Sequence, residues 1–356
     1  MSLKQHCSIN ELERPAFILK KVGLLANTES GKAFEYACLL AIYDFYKEKE
    51  VPVEIIESPQ LETAKSYFDA LSDHGKNDLL AGEAAIKLIN LLEPKLDHYA
   101  DNSVLKLTLQ TDSNGQKGDV RDILCIRNES KRKSWELGIS CKHNHFALKH
   151  SRISPTIDFG KEWLGKQCSS EYMDEVGRIF ANLKPYIKEK WDKVSDKVDK
   201  VDDVYKPLLK AFMDELARLD EKYPGEIAPA LVNYLIGEKD FYKVISVEKK
   251  HITLITPVNL HDSLNERYKD YRSMFSIEKP KLPSVIYHIG FKKVLDKKTN
   301  TISQSDNTII VTCDEGWSFS LRIHNASSKV ENSMKFDIES VSTPESIRSF
   351  IAPWNV

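Results

Sequence analysis

Two short apolar runs set the framework of this chain. Asp122-Ile-Leu-Cys-Ile126 and Trp135-Glu-Leu-Gly-Ile-Ser-Cys-Lys142 flank the polar stretch 127–134. Runs of this length around a polar connection read as the two strands of a hairpin. The connection is longer than the commonest hairpin loops, but the strands can extend into it. A hairpin sets the start of its first strand beside the end of its second. Asp119 and Asp122 therefore meet Lys142 at one end of a sheet. Side chains alternate faces along a strand, so Lys142 shares its face with Ser140, Gly138 and Glu136. Small residues beside a lone lysine leave room for a substrate or a metal ion.

The surrounding pattern is mixed α/β. From Gly31 to about Lys49, Phe34, Tyr36, Cys38, Leu39, Leu40, Ile42, Tyr43, Phe45 and Tyr46 cover nearly every face of a helix. A helix that is apolar all round is buried. Val53 to Ile56 reads as a short strand, Thr63 to Leu92 as helix broken near Gly75, and Val104 to Leu109 as strand. Glu171 to Lys184 reads as helix, ended or kinked at Pro185. Trp191, Val194, Val198, Val201 and Tyr205 are spaced 3, 4, 3 and 4, which predicts an amphipathic helix as far as Pro207. A new helix follows over Leu208 to Leu219. From Phe241 onward strands dominate: Tyr242 to Val247, Ile252 to Ile255, Val285 to Val294, Thr308 to Thr312 and Trp317 to Ile323. Asn265 to Phe275 alone has helical spacing there. These elements predict a core over 1–190 with a helical N-terminal part, a helical insertion or linker over 191–240, and a β-rich region over 241–356.

Charge narrows the partners. Across 356 residues, 51 Lys and Arg stand against 53 Asp and Glu, a formal net charge of −2. That excludes a globally basic nucleic-acid binder but not a basic face. Residues 118–152 hold eight Lys or Arg against four Asp or Glu, with Lys131-Arg132-Lys133 in the hairpin turn. The six cysteines, at 7, 38, 125, 141, 168 and 313, form no CxxC pair, which argues against a zinc ribbon or a thioredoxin motif. No run of about 18 apolar residues is present, and Met1 to Arg14 lacks the apolar stretch of a signal peptide. A cytoplasmic location is the expectation.

Two carboxylates and a lysine at one sheet end suit metal-dependent phosphodiester cleavage. Carboxylate oxygens hold Mg²⁺, which keeps several of its own waters, polarises the phosphate and acidifies a bound water. A nearby lysine can stabilise or help deprotonate that water. The spacing resembles the PD-(D/E)xK nuclease motif, in which an acid opens one strand and acid-x-Lys closes the next. Here position 140 is Ser140 rather than an acid. Glu136 lies ~20 Å along the strand from Lys142 at ~3.3 Å per residue, too far to replace it. Members of the superfamily with Ser-x-Lys take a glutamate from a helix instead. Glu35 is the candidate, the one acid in the first three turns from Gly31. A buried carboxylate needs a partner or a metal. A glutamate merely stabilised near a helix N-terminus is the plainer reading, and Glu162 is an alternative donor.

Four segments carry a closer resemblance: Gly31-Lys-Ala-Phe-Glu-Tyr-Ala-Cys38, Gly118-Asp-Val-Arg-Asp122, Ile139 through Arg152, and Trp317 through Lys329 with Ser333-Met-Lys-Phe336 behind it. Together they resemble the HaeIII-type family of Type II restriction endonucleases, from about residue 30 to the C-terminus. The resemblance implies a Mg²⁺-dependent enzyme cutting double-stranded DNA at GGCC, paired with a protective DNA methyltransferase. A palindromic site suits a two-fold symmetric homodimer. Asp122, Asp119 and Glu35 become the metal ligands, Lys142 acts on the attacking water, and Ser140 orients it through its hydroxyl.

Residues beyond this cluster are candidates for DNA contact. After Lys142 come His143, Asn144, His145, Lys149, His150 and Arg152; near the C-terminus come Arg322, His324, Asn325, Lys329 and Lys335. Arginine pairs bidentately with guanine in the major groove, which favours Arg322 as a base reader. His143-Asn144-His145 spells HNH, but contiguity argues against the nuclease motif of that name. Cys141, His143 and His145 share a strand face, yet no second ligand pair of finger spacing accompanies them. Two other functions fit the same residues: a structure-specific repair or recombination nuclease of the PD-(D/E)xK type, or a non-catalytic DNA-binding protein on a degenerate nuclease fold.

Overall fold

A computed structural model describes residues 27–73, 75–99, 103–111, 119–130, 133–143, 148–149, 151–296 and 299–355. In chain order the elements are α1 (Asn27–Glu48), β1 (Val53–Ile55), α2 (Pro59–Asp69), α3 (Lys76–Leu92), β2 (Leu105–Leu109), β3 (Ile123–Ser130), β4 (Lys133–His143) and β5 (Arg152–Ile153). There follow α4 (Phe159–Leu164), α5 (Ser170–Leu183), α6 (Lys206–Lys222), α7 (Ile227–Ile236), β6 (Phe241–Val247), β7 (Ile252–Val258), β8 (Ile286–Asp296), β9 (Thr301–Cys313), β10 (Ser318–His324), β11 (Met334–Ser342) and β12 (Phe350–Pro353).

The strands build two sheets. The first has the order β1-β2-β3-β4-β6-β7-β12, mixed because β1–β2 and β4–β6 are parallel and the other pairs antiparallel. The second, β5-β11-β10-β9-β8, is antiparallel throughout. The mixed α/β class is as expected. Residues 252–258 stand in the first sheet beside β6 and residues 350–353 beside β7, so the expected break at 240 falls between α7 and a strand of the same sheet as β4.

Strand alternation distributes the core. Leu105, Leu107, Ile123, Cys125, Leu137, Ile139, Cys141, Tyr242, Val244 and Ile255 face α1, α2 and α3. The opposite parity, Phe241 and Val258, joins a second core with α4–α7 and the inner face of the second sheet. A shift of one residue would exchange the two faces, so burial on both sides pins the register of β4 and β6. α1 lies close against α3. A side chain at Gly82 would meet Ala41 Cβ at 3.0 Å and Cys38 Cα at 3.1 Å. Glycine there lets the two helices touch, and that contact sets where α1 presents its N-terminal turns.

Two expectations are corrected. Residues 191–205 form no continuous α-helix, although Trp191, Val194, Val198 and Tyr205 are buried. The backbone of 188–191 bonds outward instead: Lys188 N to Val330 O, Trp191 N to Ser328 O, and Val330 N to Glu189 O. The Asp199 carboxylate then accepts from the amides of Val201 and Asp202, turning the chain. Residues 265–275 are not helical either, because Asn265 and Lys269 take positive φ of 61° and 53°.

Candidate active site

The hairpin positions Asp122. In the β3–β4 register Ile123 faces Ile139, and the Asp122 amide donates to Ile139 O at 2.8 Å. The carboxylate then lies across the end of β4. Its Oδ2 accepts from the Cys141 amide at 2.7 Å, from Ser140 Oγ at 3.2 Å and from Lys142 Nζ at 3.2 Å. All three donors reach the same oxygen, and Oδ1 takes none of these bonds.

α1 supplies the second carboxylate. Glu35 is 8% exposed, between the fully buried Ala33, Phe34 and Ala37. Lys32, one turn earlier, donates to Glu35 Oε2 at 3.2 Å. Burial, and then the negative charge of Asp122, push the Glu35 carboxyl up to about 7, against the opposing pull of Lys32 and Lys142. Burial alone would lower the Lys142 ammonium. Asp122 above all, with Cys141 and Glu35, reverses that and holds it above its ordinary value. Glu35, Asp122, Ser140 and Lys142 thus converge. Glu162, the alternative donor, is exposed on α4.

Asp119 does something else. Its Oδ1 accepts from Arg121 Nε and its Oδ2 from Arg121 Nη2, both at 2.7 Å, and Gln110 Nε2 adds a bond at 2.8 Å. Burial would raise Asp119, but the bonds from Arg121 and Gln110 outweigh it and hold the carboxylate below its usual range. A bidentate guanidinium thus holds Asp119 at the base of the hairpin. Arg121 Nη1 also reaches Glu136 at 3.0 Å. The space expected at Gly138 is filled by this arginine, since a Cβ there would lie 1.9 Å from Arg121 Cδ.

Among the described residues no group of three His, Cys, Asp or Glu gathers to hold a metal. Two carboxylates do converge, and one is destabilised by the other. Mg²⁺ is bound through one or two carboxylates plus waters and substrate phosphates. Glu35 and Asp122 fit that donor set, and a cation would relieve their repulsion.

The expected DNA contacts divide. His143 has the opposite parity to Lys142. It packs 5.8 Å from the Phe34 ring, with Nδ1 3.3 Å from Ser30 Oγ and Nε2 3.6 Å from Asp78 Oδ1. It therefore ties β4 to α1 and α3. Asn144, His145 and His150 lie outside the described residues. Lys149 sits 3.6 Å over the Tyr234 ring and donates to Tyr234 O at 3.1 Å. Burial holds it down to about 8, with Glu238 opposing. On the second sheet, His324 pairs with Lys335 and Lys335 with Arg152, so three basic residues stand side by side across β10, β11 and β5. Arg322 is exposed and bonded to Asp337, and Arg152 donates to Ser333 Oγ at 2.7 Å. Asn325 Oδ1 accepts from Tyr205 OH at 3.0 Å and Lys200 Nζ at 3.4 Å, which buttresses the loop after β10. Lys329 is exposed and bridges to Lys190 through its backbone.

Sequence reasoning missed Arg121 and Lys243. Arg121 stands between two aspartates, which is the signal that one of them has a partner. Lys243 is the one charged residue in the sequence of the strand Phe241–Val247, and its pairing with Ser140 places it beside the cluster.

Comparison with known proteins matches residues 31–344 to the HaeIII restriction endonuclease family. The Type II restriction enzyme HaeIII of Haemophilus aegyptius is 36% identical over 331 residues, 92% of this chain and 98% of that enzyme. No solved structure matches the chain.

Proposed function

The chain belongs to the HaeIII restriction endonuclease family, and from that premise we propose that it is a Type II restriction endonuclease cutting double-stranded DNA at GGCC. The observation that carries the chemistry is the meeting of Glu35, Asp122 and Lys142 from α1, the start of β3 and the end of β4. It supports a PD-(D/E)xK core of the Ser-x-Lys kind, with Glu35 standing for the acid absent at position 140.

Asp122 and Glu35 would hold Mg²⁺. When bound, the ion supplies Lewis-acid stabilisation of the phosphoryl oxygens and an acidified water. Water attacks phosphorus in line and the bond to the 3′ oxygen breaks. The products are a 5′ phosphate and a 3′ hydroxyl, with the proton lost by water balanced by the one the 3′ oxygen gains. Lys142 is held charged by Asp122. Its part is therefore to stabilise the attacking water and the phosphate as negative charge builds, rather than to accept the proton. Ser140 and the Cys141 amide fix the Asp122 carboxylate that Lys142 leans on.

The two sheets suggest a division of labour in place of boundaries at 190 and 240. The seven-stranded sheet with α1–α3 cleaves. The five-stranded sheet, carrying Arg152, Arg322, His324 and Lys335, reads the DNA. Two such subunits around a palindrome would cut both strands, and a GGCC methyltransferase would protect host DNA.

The test uses a short duplex with one GGCC and a second with that site scrambled. Wild-type protein should cut only the first, in Mg²⁺ and not in EDTA, and Lys142→Ala should leave it intact. Equal cutting by Lys142→Ala would refute the assignment.

A further inference from the structure

Lys243 lies on β6 directly beside Ser140 of β4. The strands run parallel in the register Ser140 to Lys243 and Lys142 to Ile245. Paired residues of neighbouring strands point to the same face and stand about 5 Å apart. Lys243 therefore shares the face of Ser140 and Lys142, opposite the face that Cys141 and Val244 give to α1. Its strand neighbours Tyr242, Val244, Ile245 and Ser246 are all buried.

The structure assigns Lys243 as a second phosphate-binding lysine of the cleavage site, contacting the DNA backbone beside the phosphate that Lys142 faces. This rests on the nuclease reading above and deepens it. Lys142 and Lys243 come from adjacent strands and are near enough to repel each other, and Glu339 on β11 of the other sheet is near enough to attract Lys243. Lys243 thus lies on the side of the first sheet that is near β11 of the second. Burial and then Lys142 hold the Lys243 ammonium down to about 8, with Glu339 opposing. Two cations that repel each other in the free protein are relieved by a shared anion, and a phosphodiester chain supplies neighbouring anions.

The experiment measures duplex binding in EDTA across a range of salt, with single-turnover cleavage in Mg²⁺ alongside. The proteins are wild type, Lys243→Ala and Lys243→Arg. Losing one phosphate contact should lower the slope of log affinity against log salt by about 0.9. Lys243→Ala should show that loss and cut roughly 10²-fold more slowly, the scale of removing one positioned transition-state donor. Lys243→Arg should recover the wild-type slope. An unchanged slope in Lys243→Ala overturns the contact even if the rate falls, since a structural lysine would slow cleavage without releasing a counterion. Should the alanine variant not fold, Lys243→Met keeps the apolar stem and asks the same question of the slope. The nuclease reading fails separately: wild type would then leave DNA intact, or Lys142→Ala would cut as wild type does.

Discussion

Replacing Glu35 with glutamine should strengthen the fold and destroy the activity. In the metal-free protein the Glu35 carboxyl stands at about 7 against an ordinary 4.5. The folded state therefore keeps its proton where the unfolded chain has lost it. That preference stabilises the fold fully below pH ~4.5 and is lost as pH rises through ~7. Moving the carboxyl from 4.5 to about 7, at 1.36 kcal/mol per pH unit, makes the whole effect roughly 3 kcal/mol. At pH 8 wild-type protein carries an ionised, buried Glu35 facing Asp122, and Glu35→Gln does not. Denaturant unfolding in EDTA at pH 5 and pH 8 reads this. Wild type should lose about 2–3 kcal/mol more than Glu35→Gln between the two values. Asp78 and Glu93, both also near 7, titrate in the two proteins alike and cancel. With Mg²⁺, added stability at pH 8 should appear in wild type and shrink in the variant, and cleavage should be abolished. Parallel pH profiles, or a Glu35→Gln protein that cuts at the wild-type rate, would refute the reasoning.

Other perturbations separate the neighbouring groups. Asp122→Asn should abolish cleavage, whereas Asp119→Asn should cost about 2 kcal/mol of stability through Arg121 and leave Mg²⁺-dependent cleavage within roughly tenfold of wild type; unfolding and digestion of both variants check this. Gly138→Ala puts a Cβ on the Arg121 side chain. It should cost about 1–3 kcal/mol by overpacking, less so in an Arg121→Ala background, as a double-mutant cycle would show. Gly82→Ala should cost a similar 1–3 kcal/mol and slow cleavage by moving α1, read as a lower kcat with unchanged DNA affinity.

Local patterning explains what the sequence revealed. The β3–β4 hairpin was legible because its alternation sets an apolar face toward the helices and leaves the other face to Glu136, Ser140 and Lys142, and the one acid in the first three turns from Gly31 marked Glu35. What stayed hidden was whatever depends on distant partners. Asp119 looks like Asp122 in sequence, and only the fold shows Arg121 turning back to grip it. The stripe from Trp191 to Tyr205 has helical spacing, but hydrogen bonds to residues 328–330 draw the backbone out of helix. His143 follows Lys142 in a run that resembles a DNA-facing segment, yet strand parity turns it toward Phe34 and Asp78. Lys243 becomes part of the site only through the parallel β4–β6 pairing, a contact between residues about a hundred positions apart. α7, apolar over most of its length, carries no charged residue between Ile227 and Ile236 to mark an outer face.

Digestion of unmethylated plasmid DNA tests the central claim most directly, with Mg²⁺, with EDTA, and after methylation of GGCC. A ladder of discrete fragments ending at GGCC, formed only with Mg²⁺ and only on unmethylated DNA, is the predicted result. Uncut DNA in Mg²⁺, or a smear without defined ends, would contradict it.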